Sequence, residues 1–208
     1  MTKRFHTLAI MIAILMVPSL ILAGAGHKFG AAKAVSGEND MVIVPLEITN
    51  QANLTALDIP LKFSSGVTLQ SVDFENTRVS YFDLKVANIN NADQTVVIGL
   101  LPQMSPAYKP DLDAGTGVIA NLVFQVDDPN IEEITLDVQP MKNPNHDLIF
   151  VYHVTGKDGA MTTNAMYRRD DGPNRVEFEP VTVALPGKGE ALPTVFALNQ
   201  NYPNPFNP

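Results

Sequence analysis

The sequence predicts an all-β chain, an antiparallel β-sandwich with jelly-roll topology. Three observations carry this expectation. Apolar residues recur with period two in one short segment after another, the pattern of half-buried strands. No segment shows a helical period, so nothing is available to carry the crossover of a parallel sheet. Turn residues separate the strands, with 13 Gly and 16 Pro in 208 residues, as in sandwiches built from many short strands.

In chain order, Val42, Val44, Leu46 and Ile48 share one face of "MVIVPLEIT", with Pro45 and Glu47 opposite. Pro45 cannot donate to a ladder, so this strand is expected at an edge or with that position turned outward. "LDIPLKF" repeats the alternation with Leu57, Ile59, Leu61 and Phe63, and the turn "SSG" follows. In "GVTLQSVDF", Val67 and Leu69 are out of phase with Val72 and Phe74, which calls for a bulge or bend near Gln70 and Ser71. Further strands are expected at "QTVVIGLL" (Val96, Ile98, Leu100), "GVIANLVFQV" (Val118, Ala120, Leu122, Phe124, Val126) and "ITLDV" (Ile134, Leu136, Val138). "DLIFVYHV" is apolar on both faces and suits a central strand, while "VEFEPVTVAL" alternates in two pieces hinged at Pro180. Residues 155–175 form a polar insert, either a mobile loop or a long hairpin.

Composition bounds what this sandwich can be. Hydrophobic residues at 45% against 17% charged ones suffice for a core. With no cysteine, packing and strand pairing must hold it without disulfides or thiolate metal sites. Lys3 and Arg4 precede an apolar run interrupted by Pro18 and closed by Ala23 and Ala25, the layout of a secretory signal peptide over residues 1–25. Its removal would take away two basic residues and no acid, making the formal charge of -8 more negative by two. Such a surface repels nucleic acid and anionic lipid. Residues 26–35 are then a mature N-terminal segment and 36–184 the sandwich. Hydrophobic alternation stops at Leu185, and Pro186, Gly187, Gly189 and Pro193 mark residues 185–195 as a linker.

Two stretches resemble known families. "GENDMVIVPLEITNQANLTALDIPLKF" and "DAGTGVIANLVFQV" are similar to paired strands of cohesin-like domains, a resemblance covering residues 36–140. It implies a nine-stranded jelly-roll sandwich, a dockerin-like or other surface protein as partner, and a non-catalytic role in protein interaction or assembly. Related folds bind polysaccharide, so a carbohydrate-binding module is the alternative. The chain has one such module and no motif that marks a dockerin-binding face. "FALNQNYPNPFNP", residues 196–208, resembles the opening of the C-terminal sorting domain of the type IX secretion system. That resemblance implies Sec export, then the type IX machinery and the outer cell surface of a Gram-negative-type bacterium. The strands that follow in that family are not in this sequence, which reads as a truncated product or fragment. Pro203, Pro205 and Pro208 make the stretch stiff and non-helical.

Catalytic chemistry has little to stand on, and no catalytic, cofactor-binding or metal-binding residue is assigned. Beyond the leader the chain holds three histidines and no G-x-S-x-G elbow. His153, in apolar "FVYHV", reads as a structural histidine, His27 as part of a mobile terminus, and His146 as a loop residue near Asp147. Asp111 and Asp113 before Gly115 resemble the start of a calcium loop, but the later ligands are missing, so an ordinary Asp/Gly turn is expected, with calcium as the functional alternative. Asp170 and Asp171 before Gly172 read as a charged turn. With no tryptophan, sugar stacking would fall to Tyr81, Phe82, Tyr108, Tyr152 or Tyr167, for most of which core or edge packing is expected.

Overall fold

The computed structural model describes residues 26–36, 41–142, 145–167, 175–178 and 180–185. The signal peptide, the residues past Leu185, and Asp170 and Asp171 lie outside the described residues. No helix occurs among those described.

Fifteen strands are described: β1 His27–Ala31, β2 Val35–Ser36, β3 Met41–Asn50, β4 Ala56–Phe63, β5 Val67–Asp73, β6 Leu84–Asn90, β7 Thr95–Leu101, β8 Gly115–Val126, β9 Glu133–Val138, β10 Met141–Lys142, β11 Asn145–His146, β12 Ile149–Thr155, β13 Met161–Tyr167, β14 Val176–Glu177 and β15 Val181–Ala184. One sheet runs β14-β1-β3-β8-β5, with β2 also on β3. The other runs β13-β12-β4-β7-β6, with β9 on β4 and β15 on β9. The chain passes repeatedly between them, β3 to β4, β4 to β5 and β7 to β8, as a jelly roll requires. All pairings are antiparallel except β1 with β14.

The alternation of β3 is realised in full: Val42, Val44, Leu46, Ile48 and Asn50 are buried and the residues between them partly exposed. Leu57, Ile59, Leu61 and Phe63 of β4 face them from the other sheet, and Phe63 meets Phe124 of β8 edge-on at 5.4 Å between ring centres. Burying side chains of this size contributes about 1.5–3 kcal/mol each. The bulge expected in β5 lies between Leu69 and Ser71.

Pro45 is not at an edge, because β3 runs between β8 and the β1/β2 pair. β1 pairs with Leu46 through Thr49 and β2 with Val42 and Ile43, so Pro45 sits opposite the gap between them. Ala32 N donates to Pro45 O at 2.9 Å. The carbonyl and ring nitrogen of one strand residue point the same way, so the missing donor faces that interruption.

Two further expectations change, and two others take definite form. In β8 a second bulge, opposite Leu46 and Glu47, skips Ile119 from the register and seats it in the core, while Val118 is only half-buried. Residues 27–31 are not a mobile terminus but a strand of the first sheet, and His27 is buried there. Residues 155–167 form the outer part of a hairpin, β12 with β13 over seven pairs. Pro180 separates β14 and β15, which lie in different sheets.

Candidate functional site

Four connections meet at one end of the sandwich. β3 leaves at Asn50 and β4 enters at Ala56, β7 leaves at Leu101 and β8 enters at Gly115, β6 enters at Leu84, and the β12–β13 hairpin turns between Thr155 and Met161. Between the 102–111 segment and the hairpin lies an open groove of about 670 Å³. Asn53, Leu101, Met104, Tyr108, His153 and Met161 are among its walls.

The 102–111 segment is long and contains Pro102, Pro106 and Pro110, yet polar bonds fix it. Asp83, just before β6, accepts from Lys109 Nζ at 2.6 Å, Met104 N at 2.9 Å, Ser105 N at 3.0 Å and Ser105 Oγ at 2.9 Å. The Lys109 ammonium first, then these donors, holds the Asp83 carboxyl well below the usual carboxylate range. Lys109 Nζ also donates to Tyr81 O at 2.6 Å, and Tyr81 OH donates to Asp111 O at 3.0 Å. The Asp111 carboxylate then meets His153 Nδ1 at 2.7 Å on the hairpin. This chain of contacts ties the segment to the hairpin across the groove.

A second network lies beneath. Arg78 Nη1 donates to Asn50 Oδ1 at 2.8 Å and Gly115 O at 3.1 Å, and Nη2 donates to Asp113 O at 2.5 Å. Buried Asn50 donates to Ala52 O at 2.8 Å and Asp113 O at 2.9 Å. Burial lowers the Arg78 pKa, yet a guanidinium stays charged at any ordinary pH. Gly117 is needed where this side chain crosses, since a Cβ there would fall 3.0 Å from Arg78 Cδ.

Apolar surface gathers at the same end. Tyr108 is 81% exposed, Met161 68% and Met104 64%, with Val154 and Tyr81 also exposed there. Among the described residues, the other exposed large apolar ones are Val35 on β2 and Val86 on β6. From Leu101 the surface continues onto the outer face of the seven-stranded sheet, where Leu84, Ile149 and Val151 are partly exposed and Val86 leans over Gly99.

The fold brings Asp111 and His153 together and disperses the other residues singled out from sequence. His153 is no core histidine: its position on β12 is exposed and it faces Asp111. His146 pairs with Asp58 on β4, 3.0 Å from either carboxylate oxygen, rather than with its chain neighbour Asp147. His27 Nδ1 accepts from Gln51 N at 3.4 Å, and burial pushes its pKa down. Asp113 turns toward Asn53, 3.4 Å from Nδ2, away from the Asp111–His153 pair. Among the described residues, no three His, Cys, Asp or Glu side chains form a group able to hold a metal ion. Ser105 Oγ donates to Asp83 and not to the imidazole–carboxylate pair. Of the rings, Phe82 is buried, Tyr152 packs against the core, Tyr81 stands edge-on to Phe82, and Tyr108 is free. The side chain of Tyr167 lies outside the described residues. Sequence reasoning missed Met104, Met161 and the Asp83–Lys109 pair. For Met104 and Lys109 the signal was "PQMSPAYKPD", a proline-rich connection that carries exposed apolar residues between two strands; Met161 and Asp83 had none.

No protein-family model matches the sequence, and no curated protein matches it. Solved structures of similar fold include the seventh ScaB type I cohesin from Pseudobacteroides cellulosolvens, at 16% identity and a TM-score of 0.49 over 76% of this chain and 91% of that one. A type I cohesin–dockerin complex from Clostridium thermocellum matches at 11% identity and a TM-score of 0.47, covering 76% and 98%. A non-cellulosomal cohesin from the archaeon Archaeoglobus fulgidus matches at 13% identity and a TM-score of 0.45, covering 77% and 91%.

Proposed function

We propose that this chain is an exported, non-catalytic β-sandwich module that docks a partner protein, dockerin-like or of another surface type, through its loop end. One observation carries the reading: Met104, Tyr108 and Met161 stand exposed on a segment and a hairpin that polar bonds hold in place. Contiguous apolar surface with a polar rim is what a protein interface offers, and pre-ordered loops reduce the entropy cost of binding. Export by Sec and then by the type IX machinery rests on the resemblances of residues 1–25 and 196–208.

The test is recovery of a partner from the secreted fraction of the same organism, followed by affinity measurement with the purified pair. Replacing Tyr108 and Met161 by Asp should weaken binding at least about 10-fold, the scale of losing one buried anchor. Undiminished affinity in that double variant would sink the assignment of the surface. The second reading, glycan binding, has in its favour the free ring of Tyr108 beside Asn53, Gln103 and His153. Retardation on polysaccharide affinity gels that Tyr108→Ala removes would replace protein docking by that reading. Turnover in a broad ester, peptide and glycoside screen would overturn the non-catalytic role.

A further inference from the structure

The thioethers of this chain are unevenly placed. With no cysteine in the sequence, methionine carries all of its sulfur, and beyond the leader the positions are Met41, Met104, Met141, Met161 and Met166. Met166 is buried, and Met41 and Met141 are partly covered. Met104 and Met161 stand exposed, and both line the groove at the loop end. They come from different walls, Met104 from the 102–111 segment and Met161 from the start of β13.

His153 joins them from β12. It pairs with Thr163 while Met161 pairs with Thr155, so His153 and Met161 are diagonal neighbours on one face of the hairpin. Such neighbours lie about 7–8 Å apart, within reach of long side chains. His153 lines the same groove, and its Nδ1 is 2.7 Å from the Asp111 carboxylate. A carboxylate can only accept, so the proton of the neutral ring sits on Nδ1 and the lone pair is left on Nε2. Nε2 has no hydrogen-bond partner among the described residues. A histidine whose second nitrogen is held by a carboxylate is in the form that metal ligands take. Lys109, the ammonium on the same wall, is matched by Asp83.

We propose that Met104, His153 and Met161 form a site for a soft monovalent metal ion, Cu(I), with two thioether sulfurs and the Nε2 nitrogen as ligands. The donor set selects the ion. Calcium and magnesium take oxygen ligands, whereas soft thioether sulfur selects Cu(I). Sulfur donors also set this site apart from groups of His, Cys, Asp and Glu, of which the described residues hold none. An exposed methionine has three rotatable bonds, so both thioethers can turn inward onto one ion. The Asp111–His153 contact holds the two walls together while they do so.

The experiment uses the purified chain without any partner. Cu(I) is titrated anaerobically against a chromophoric Cu(I) chelator, and Ag(I), of the same charge and similar softness, is followed by NMR of methionine methyl groups and histidine nitrogens. One Cu(I) per chain is expected. Ag(I) should shift the methyls of Met104 and Met161 and the Nε2 of His153, and leave those of Met41, Met141 and Met166 in place. Met104→Leu, Met161→Leu and His153→Gln should each weaken Cu(I) binding at least about 10-fold. Leucine keeps the volume of methionine, so these variants stay folded, and Met41→Leu should leave the affinity unchanged. The proposal is overturned if the chelator strips the chain of Cu(I) completely, if Ag(I) shifts Met41 or Met141 as strongly, or if any one of the three ligands proves dispensable. Partner docking is read by a separate affinity on the metal-free chain, so neither result decides the other.

Discussion

The β3–β8 and β12–β13 ladders are built from the same antiparallel bonds, and they differ in what surrounds them. β3 and β8 each have neighbours on both sides, and Val44, Leu46, Ile48, Leu122 and Phe124 have lost essentially all contact with water. β12 and β13 bury Phe150 and Met166 near one end, and beyond Val151 no third strand pairs with the ladder among the described residues. Backbone pairing contributes little net free energy without apolar burial. The first ladder therefore opens only with the whole fold, while the tip of the second opens locally.

Substitutions test that contrast, beginning with the core. Phe63→Ala, which removes a ring packed against Phe124, should destabilise the fold by about 3–5 kcal/mol in denaturant unfolding. A loss below about 1 kcal/mol would mean that the two sheets are not closely packed there. Arg78→Met should cost about 2 kcal/mol, because it strands Oδ1 of buried Asn50 and removes a donor from the Asp113 and Gly115 carbonyls. An unchanged midpoint would remove the guanidinium from the account of the loop end.

His27 supplies a pH-dependent probe of the body. Its pKa is depressed in the folded chain, so below the ordinary value of about 6.5 the unfolded state binds a proton that the folded state refuses. Stability should fall as pH drops below about 6.5, and His27→Gln should flatten that slope. An identical slope in the variant would place the titration elsewhere. Asp83→Asn should have the smallest effect on global unfolding. It should raise amide exchange at Met104 and Ser105, whose N–H groups it holds, without raising exchange in β3. If exchange rose equally in both places, the loop end and the body would form one cooperative unit.

The body was legible in the sequence because a half-buried strand writes its burial as alternation. All the inward residues of β3, β4 and β9 follow from that rule. β8 departs from it where the bulge shifts Ile119 inward, since a bulge adds one residue without any compositional mark. β1 was missed because "HKFGA" is short and holds one large apolar residue, and its burial comes from β3 and β14 far along the chain. β6 was missed for a related reason: "LKVANIN" faces water on one side and is half-covered on the other. At the loop end almost nothing was legible. Asp83 and Lys109, or Asp111 and His153, are brought together by topology, and neither pair follows a local spacing rule.

The Pro180 crossing has a temporal meaning. β14 lies against β1, and Phe178 stacks on Phe29 at 5.5 Å between ring centres. The first described strand is thus completed by nearly the last described one. During synthesis the N-terminal edge of the sandwich stays open, with Phe29 uncovered, until residues 176–178 have been made. Only past Pro180 can β15 close the opposite sheet, so both sheets are completed by one short passage of chain, residues 176–184.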